Sequence, residues 1–354
     1  CWSSDYCGVN MYKITNFFAL LICGISVCFA ARVKEPTWVS VPKKVYNPEK
    51  YLSYVGKAKD KSQAELLAVE GIASVFEQDV ASASVSSSRM EQASNEGKVA
   101  IAKSQNFNSK IMRKVDVDSL VGIEIKEYWT DAEKNIYVIA VLDKPKTSLL
   151  YSNMIEKNNA EIKKLLNAKT DDEFSFENYA RIDFAREISV LNEKYLSRLS
   201  VIDFDKASEL EKQTVSASDI NAMLLQIAKQ IPVYVYFQND SDGRVRSAYA
   251  KMLNSFGFRT SQERNERYSF TGSMSFEQNI PKDKSSVQCR YTFKADLKDS
   301  AFAQNLFTLS FDGRNSSNSY SDAQNRALRA IEARAAGNST EEFRKFLQNI
   351  VVHY

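Results

Sequence analysis

The chain has 354 residues, 44% of them hydrophobic and 26% charged, enough for two or three domains of about 100 to 200 residues with real cores. A formal charge of +3, from 47 basic and 44 acidic residues with no long basic run, points to no nucleic-acid partner. The one histidine, His353, is next to last, which leaves no seat for Ser/His/Asp or Cys/His nucleophile systems, helical zinc-protease motifs or histidine-bearing metal centres.

From Met11 the chain reads Met-Tyr-Lys, an apolar stretch from Ile14 to Phe29, and then Ala30-Ala31-Arg32. A short positive region, a hydrophobic segment and a small-residue exit form a secretory signal. The ten residues before Met11 fall outside that pattern and read as an upstream extension, so 1–31 is taken as extension plus signal. Three outcomes stay open. Cleavage after Ala30 suits ordinary signal peptidase. Ile25-Ser26-Val27-Cys28 resembles a lipobox with Cys28 placed for acylation, although Val27 stands where Gly, Ala or Ser is usual. An uncleaved anchor is the third, on an apolar stretch somewhat short of the roughly 20 residues a span needs. Four of the five cysteines lie at or before this point, so Cys289 is the one thiol of the mature chain and no internal disulfide is expected.

The segment 32–60 carries Pro36, Pro42 and Pro48 among Trp38, Tyr46 and Tyr51, which suggests an irregular, extended lead-in whose aromatics pack on the first domain. Ala64, Leu67, Ala68, Gly71, Ile72, Val75 and Phe76 then recur at helical spacing. Alternation from Val80 to Ser87 predicts a polar strand, and a helix is expected at 98–111. Leu120 to Trp129 and Asn135 to Leu142 read as strands joined by a turn at Thr130–Lys134, with Val121, Ile123, Ile125, Glu127 and Trp129 on one face. Pro145 opens a helix over 147–167, a long one covers 174–199, and a third covers 219–230, capped by Ser218 or Asp219.

The last third restarts with a strand at 233–237, a turn at Asp240–Gly243 and a helix at 244–256. Strands follow at 268–276, 287–295 and 306–311, and helices at 322–335 and 340–351. The order β-α-β-β-β-α-α predicts helices on one face of a mostly antiparallel sheet. The fold class is therefore α+β: two α/β sandwich-like domains, at 32–145 and 231–354, joined by a helical connector at 146–230.

Pro36-Thr37-Trp38, Tyr54-Val55-Gly56-Lys57-Ala58, the Ala-rich helix and the hairpin strands Leu120–Asp131 and Ile136–Leu142 stand in an order that resembles the LPP-twenty lipoprotein family. That family is similar in turn to the N-terminal domain of the flagellar assembly protein FlgT. The resemblance covers about residues 36–145 and implies a non-enzymatic α/β domain of the periplasm or outer membrane that serves in envelope assemblies, with proteins as partners.

Several side chains invite a chemical reading. Asp240-x-Asp242-Gly243 looks like the start of a calcium loop, but Gln238 and Tyr249 hold the positions where carboxylates are required. Ser40-Val41-Pro42-Lys43 has Ser-x-x-Lys spacing in an extended, proline-broken setting. Glu127 and Trp129 share a strand face beside Asp131, an arrangement that could hold a sugar or supply an acid; hairpin packing is the simpler reading. Cys289 alternates with Val287, Tyr291 and Phe293 and reads as a small buried hydrophobe. Tyr268, Phe270 and Phe276 read as core. Arg326, Arg329 and Arg334 look like a solvated or partner-facing helix side, and Asp-Gly-Arg occurs twice, at 242–244 and 312–314, hinting at equivalent strand ends. No metal, cofactor or catalytic residue is expected. The leading expectation is an envelope component acting through protein contacts. The alternatives are a peptidoglycan- or glycan-binding module and a hydrolase built on Glu127 and Asp131.

Overall fold

The computed structural model describes residues 34–94, 121–279 and 286–351. The signal segment with Cys28, the helix expected at 98–111 and His353 lie outside them. The described residues form two open sheets flanked by helices, a mixed α+β architecture with mostly antiparallel pairing.

The first sheet has the order β1 (Tyr51–Ala58), β3 (Ile136–Asp143), β2 (Ile123–Thr130), antiparallel throughout. Its central strand is buried on both faces, which is why residues 136–142 read as an almost unbroken apolar run. Val138, Ala140 and Leu142 pack on α3 (Lys61–Ser94) through Ala64, Ala68 and Ile72. The small side chains of α3 allow close approach: a Cβ on Gly56 of β1 would lie 2.1 Å from the carbonyl oxygen of Ala64. On the other face Ile139 and Val141 meet Trp38, Tyr46, Tyr51, Trp129 and Tyr137.

Three expectations change here. The lead-in is ordered into two short helices, α1 (Thr37–Ser40) and α2 (Pro42–Val45), and a full strand, β1. Its aromatics do pack on the sheet as expected. The strand expected at 80–87 is helical, because α3 runs on to Ser94. Alternating Ala, Ser and Val there includes no bulky residue to require a sheet face, and alanine is the strongest helix former. The faces of β2 also differ. A bulge between Ile125 and Glu127 shifts the register, so Ile123 and Ile125 side with α3 while Glu127 and Trp129 turn to the aromatic face.

The helical block holds α4 (Lys144–Asn167), α5 (Phe176–Ile202), α6 (Phe204–Glu211) and α7 (Ala217–Lys229). Side chains cap all four: Asp143 accepts from the Lys146 N–H at 3.0 Å, Ser175 from Asn178 at 3.1 Å, Asp203 from Lys206 at 3.1 Å and Ser216 from Asp219 at 3.0 Å. The α7 cap falls two residues before the expected one, and α6 was not anticipated. Tyr151, Ile155, Tyr195, Leu199, Ala207 and Leu210 make a local core. Between α4 and α5, Asn158 donates to Asn192 at 2.7 Å, Asn192 to Asn159 at 2.9 Å, and Asn159 to Thr214 at 3.0 Å, so these amides are paired inside the block.

The second sheet has the order β5 (Arg259–Ser261), β4 (Pro232–Gln238), β6 (Tyr268–Asn279), β7 (Val287–Asp299), β8 (Gln304–Ser317). β4 runs parallel to β5 and β6; the β6–β7 and β7–β8 pairs are antiparallel. One face is covered by α8 (Arg244–Ser255), α9 (Tyr320–Ala336), α10 (Asn338–Val351) and part of the helical block. Phe176, Tyr179 and Ala180 of α5 share this core with Val233, Val235, Phe237, Phe270, Phe293 and Phe343. A bidentate ion pair reinforces it: Arg267 donates to Asp299 at 3.0 and 2.7 Å and pairs with Asp172, in the turn before α5, at 2.5 Å. No described helix is long and apolar enough to cross a membrane.

Candidate interaction surfaces

Of the hairpin residues, Asp131 is held in bonds that build the turn. Asp131 accepts the backbone N–H of Glu133 at 2.9 Å and of Asn135 at 2.8 Å, the Asn135 side chain at 2.7 Å and the Tyr137 hydroxyl at 3.3 Å. Burial pushes its carboxyl up, and the donors from Asn135, Tyr137 and Glu133 outweigh it, holding the group below its ordinary value. Glu127 is exposed and accepts from the Tyr46 hydroxyl at 3.2 Å. Trp129 is half-buried against Tyr137, ring centroids 5.1 Å apart. Nearby, hydrogen bonds from Lys126 and Lys146 and their charges hold exposed Glu124 near a pKa of about 2.

The arginines of α9 divide. Arg326 and Arg329 are exposed, and Arg326 donates to the Ser316 carbonyl at 3.1 Å. Arg334 is turned inward over the Phe311 ring, 4.3 Å from its centroid, and pairs with Glu342 at 3.1 Å, so it is not part of a solvated side. Cys289 is buried among Ala323, Ala327, Phe276, Tyr291 and Tyr320, and burial raises its thiol. The two Asp-Gly-Arg segments are not equivalent: 242–244 opens α8, where Asp240 accepts the N–H groups of Val245 and Arg246 at 3.2 and 2.7 Å, while 312–314 lies inside β8. The first of these is a helix cap, and no group of acidic or thiol side chains able to hold a metal ion occurs among the described residues.

A wide hollow was not visible in sequence. It lies between α8, α9 and α10, encloses about 1110 Å³ and opens widely to solvent. Arg246 and Lys251 of α8 and Arg344 of α10 line it, with the Ser247 and Ser255 residues of α8, and Thr340. Arg244 is tied to Glu332 at 2.7 and 3.1 Å. Arg246, Lys251 and Arg344 form no ion pair among the described residues, and Arg344 lies 5.4 Å from the centroid of the Phe256 ring. Asp242 also lines the hollow, so cations exceed acids there. The lining residues come from helices about 100 residues apart in sequence, and the one local sign was the basic run Arg244, Arg246 and Lys251 on a single helix. A second hollow of about 460 Å³ lies between α4, α5 and α10; there burial pushes the Glu187 carboxyl up, and it accepts from Gln348 at 3.4 Å.

These features define a two-sheet α+β protein with broad surface hollows. No protein-family model matches the chain, and no curated protein matches it. Among solved structures it is similar to a secreted protein of Helicobacter pylori, at 11% identity over 80% of this chain and 97% of that one, with a TM-score of 0.42. It is also similar to a minor lipoprotein of Acinetobacter baumannii, at 12% identity over 32% and 93%, with a TM-score of 0.26. A third is PelC of Paraburkholderia phytofirmans, solved as a dodecamer, at 18% identity over 33% and 86%, with a TM-score of 0.20. Likenesses this distant carry no argument about what the chain does.

Proposed function

We propose that this is a non-catalytic, extracytoplasmic envelope protein that serves an envelope assembly through protein contacts. The observation that carries the reading is the wide hollow between α8, α9 and α10. Small-molecule sites are enclosed and mostly apolar with a few converging polar groups. This hollow is open, and its unpaired Arg246, Lys251 and Arg344 are spread over two helices, which suits an extended, carboxylate-bearing partner segment. The secretory pattern of residues 11–31 and the resemblance of residues 36–145 to the LPP-twenty lipoprotein family support a periplasmic or outer-membrane setting.

The test is capture of crosslinked partners from the native envelope by the wild-type protein and by a variant carrying Arg246→Glu, Lys251→Glu and Arg344→Glu. Loss of one partner in the variant, with folding retained, supports the reading. Equal capture by both, or retention on purified peptidoglycan without any protein partner, overturns it. Intact mass of the native protein should show a chain beginning at Ala31 without lipid. A chain beginning at Cys28 with added acyl mass would place it on a bilayer surface.

A further inference from the structure

The Asp-Gly-Arg of residues 312–314 has no part in the hollow. It lies within β8, the outermost strand of the second sheet, which is 14 residues long and is paired on one side only among the described residues. Asp312 and Arg314 flank Gly313 and are both exposed on the sheet face that carries no helices. Arg314 stands directly opposite Arg290 in the β7–β8 register, and neither forms an ion pair among the described residues. Glu277 of β6 stands opposite Arg290 on its other side, so the row holds one acid and two arginines, with Arg314 at its open end; like charges facing each other across a ladder repel, and a second carboxylate beyond Arg314 would balance the row.

We propose that β8 pairs antiparallel with β8 of a second copy of this chain, about a two-fold axis through Gly313, joining the two five-stranded sheets into one. In that register Asp312 lies opposite the second copy's Arg314, and Arg314 opposite the second copy's Asp312. Each row of one acid and two arginines gains a second carboxylate at its outer end. The interface is isologous and closed, as two-fold symmetry requires.

The backbone is set for this. Arg326 donates to the carbonyl of Ser316, which marks that carbonyl as reachable from the outer edge. Alternate residues of a strand present N–H and C=O to the same side, so those of Asp312 and Arg314 also point outward and exchange ladder bonds with their opposites. Continuing the ladder sets Ser316 opposite the second copy's Ser310, whose N–H then takes the place of Arg326 on the Ser316 carbonyl. The helical layer permits the approach as well. α9 packs over both β7 and β8, and its Ala323 and Ala327 sit on Cys289 of β7. With strands about 4.8 Å apart in a continuous sheet, the two copies of α9 come to about 10 Å from each other, the spacing of packed helices. β8 also contains no proline, the residue that commonly blocks an open edge.

Sedimentation velocity over a concentration series of the purified full chain tests the proposal, with Asp312→Arg, Arg314→Asp and an equimolar mixture of the two. Wild type should pass from monomer to dimer as concentration rises. Each variant alone sets like charges opposite each other and should associate about tenfold more weakly or worse. The mixture should recover the dimer, because one chain then offers two arginines to the other's two aspartates, and this recovery also shows that both variants are folded. A wild type that stays monomeric at its highest soluble concentration, single variants that dimerise as well as wild type, or a mixture that recovers nothing would each overturn it.

Discussion

Replacing Arg267 by Met should cost about 3–5 kcal/mol of stability at pH 7, because it leaves a buried carboxylate without its cation. The Asp299 side chain is 5% exposed and receives two hydrogen bonds from Arg267, at 3.0 and 2.7 Å. Charge-assisted bonds contribute about 1.5–3 kcal/mol each. What remains to Asp299 is the backbone N–H of Ala301 at 2.9 Å and that of Phe302, two neutral donors in place of a cation. The lost contact to the more exposed Asp172 adds at most about 1 kcal/mol. The pH dependence follows from the same geometry. Burial alone pushes the Asp299 carboxyl up, and the bonds from Arg267 and Ala301 outweigh it and hold the group below its ordinary value. Its contribution is therefore complete above the unfolded value of about 3.9 and is lost as pH falls through the lower native value. In the variant the carboxylate has no cation, protonates more readily, and relieves part of the penalty in acid. Urea unfolding at pH 7 and pH 3.5 should show a gap between wild type and variant that narrows in acid. Arg267→Met/Asp299→Asn should be less destabilised than Arg267→Met alone. A cost below about 1 kcal/mol at pH 7, or a gap of equal size at both pH values, would refute this account of the pair.

Gly56→Ala sets a methyl 2.1 Å from the Ala64 carbonyl oxygen, so β1 and α3 must separate; thermal unfolding should report a loss of about 1–3 kcal/mol. Asp131→Ala removes the acceptor of the N–H groups of Glu133 and Asn135 and should accelerate hydrogen exchange at the turn between β2 and β3, with a lowered midpoint in thermal unfolding. The Cys289 thiol should be silent to an aromatic disulfide reagent in the native protein and titrate fully in guanidinium, since the residue is buried and its thiolate disfavoured. Fast reaction under native conditions would place the sulfur at the surface.

The parts of the fold readable from sequence are those whose side chains state a period against a single core. α8 and the strands β6, β7 and β8 alternate or repeat cleanly because each has one buried face, and β3 was readable as an unbroken apolar run because both of its faces are buried. β1 was hidden because it is an edge strand with mostly intermediate burial, and its pattern of Tyr, Ser and Gly lacks a clear inside and outside. The far half of α3 misled because residues small enough for either structure carry no preference for a sheet face. The hollow between α8, α9 and α10 was invisible for another reason: its cations come from separate helices, and only tertiary packing makes them neighbours. Glu127, Trp129 and Asp131 stand along one hairpin but serve separate contacts: Asp131 is held by the turn, Trp129 by ring packing and Glu127 by the Tyr46 hydroxyl.

The bulge at Lys126 lets a single strand serve two cores that need not change together. Residues 123–125 must suit the small-residue groove of α3, while residues 127–129 must suit the aromatic layer under Trp38. Deleting Lys126 would join Ile125 and Glu127 in a regular ladder and leave each on the face it holds now. A substitution in either half therefore answers to its own layer, close packing on α3 for residues 123–125 and ring contact for residues 127–129.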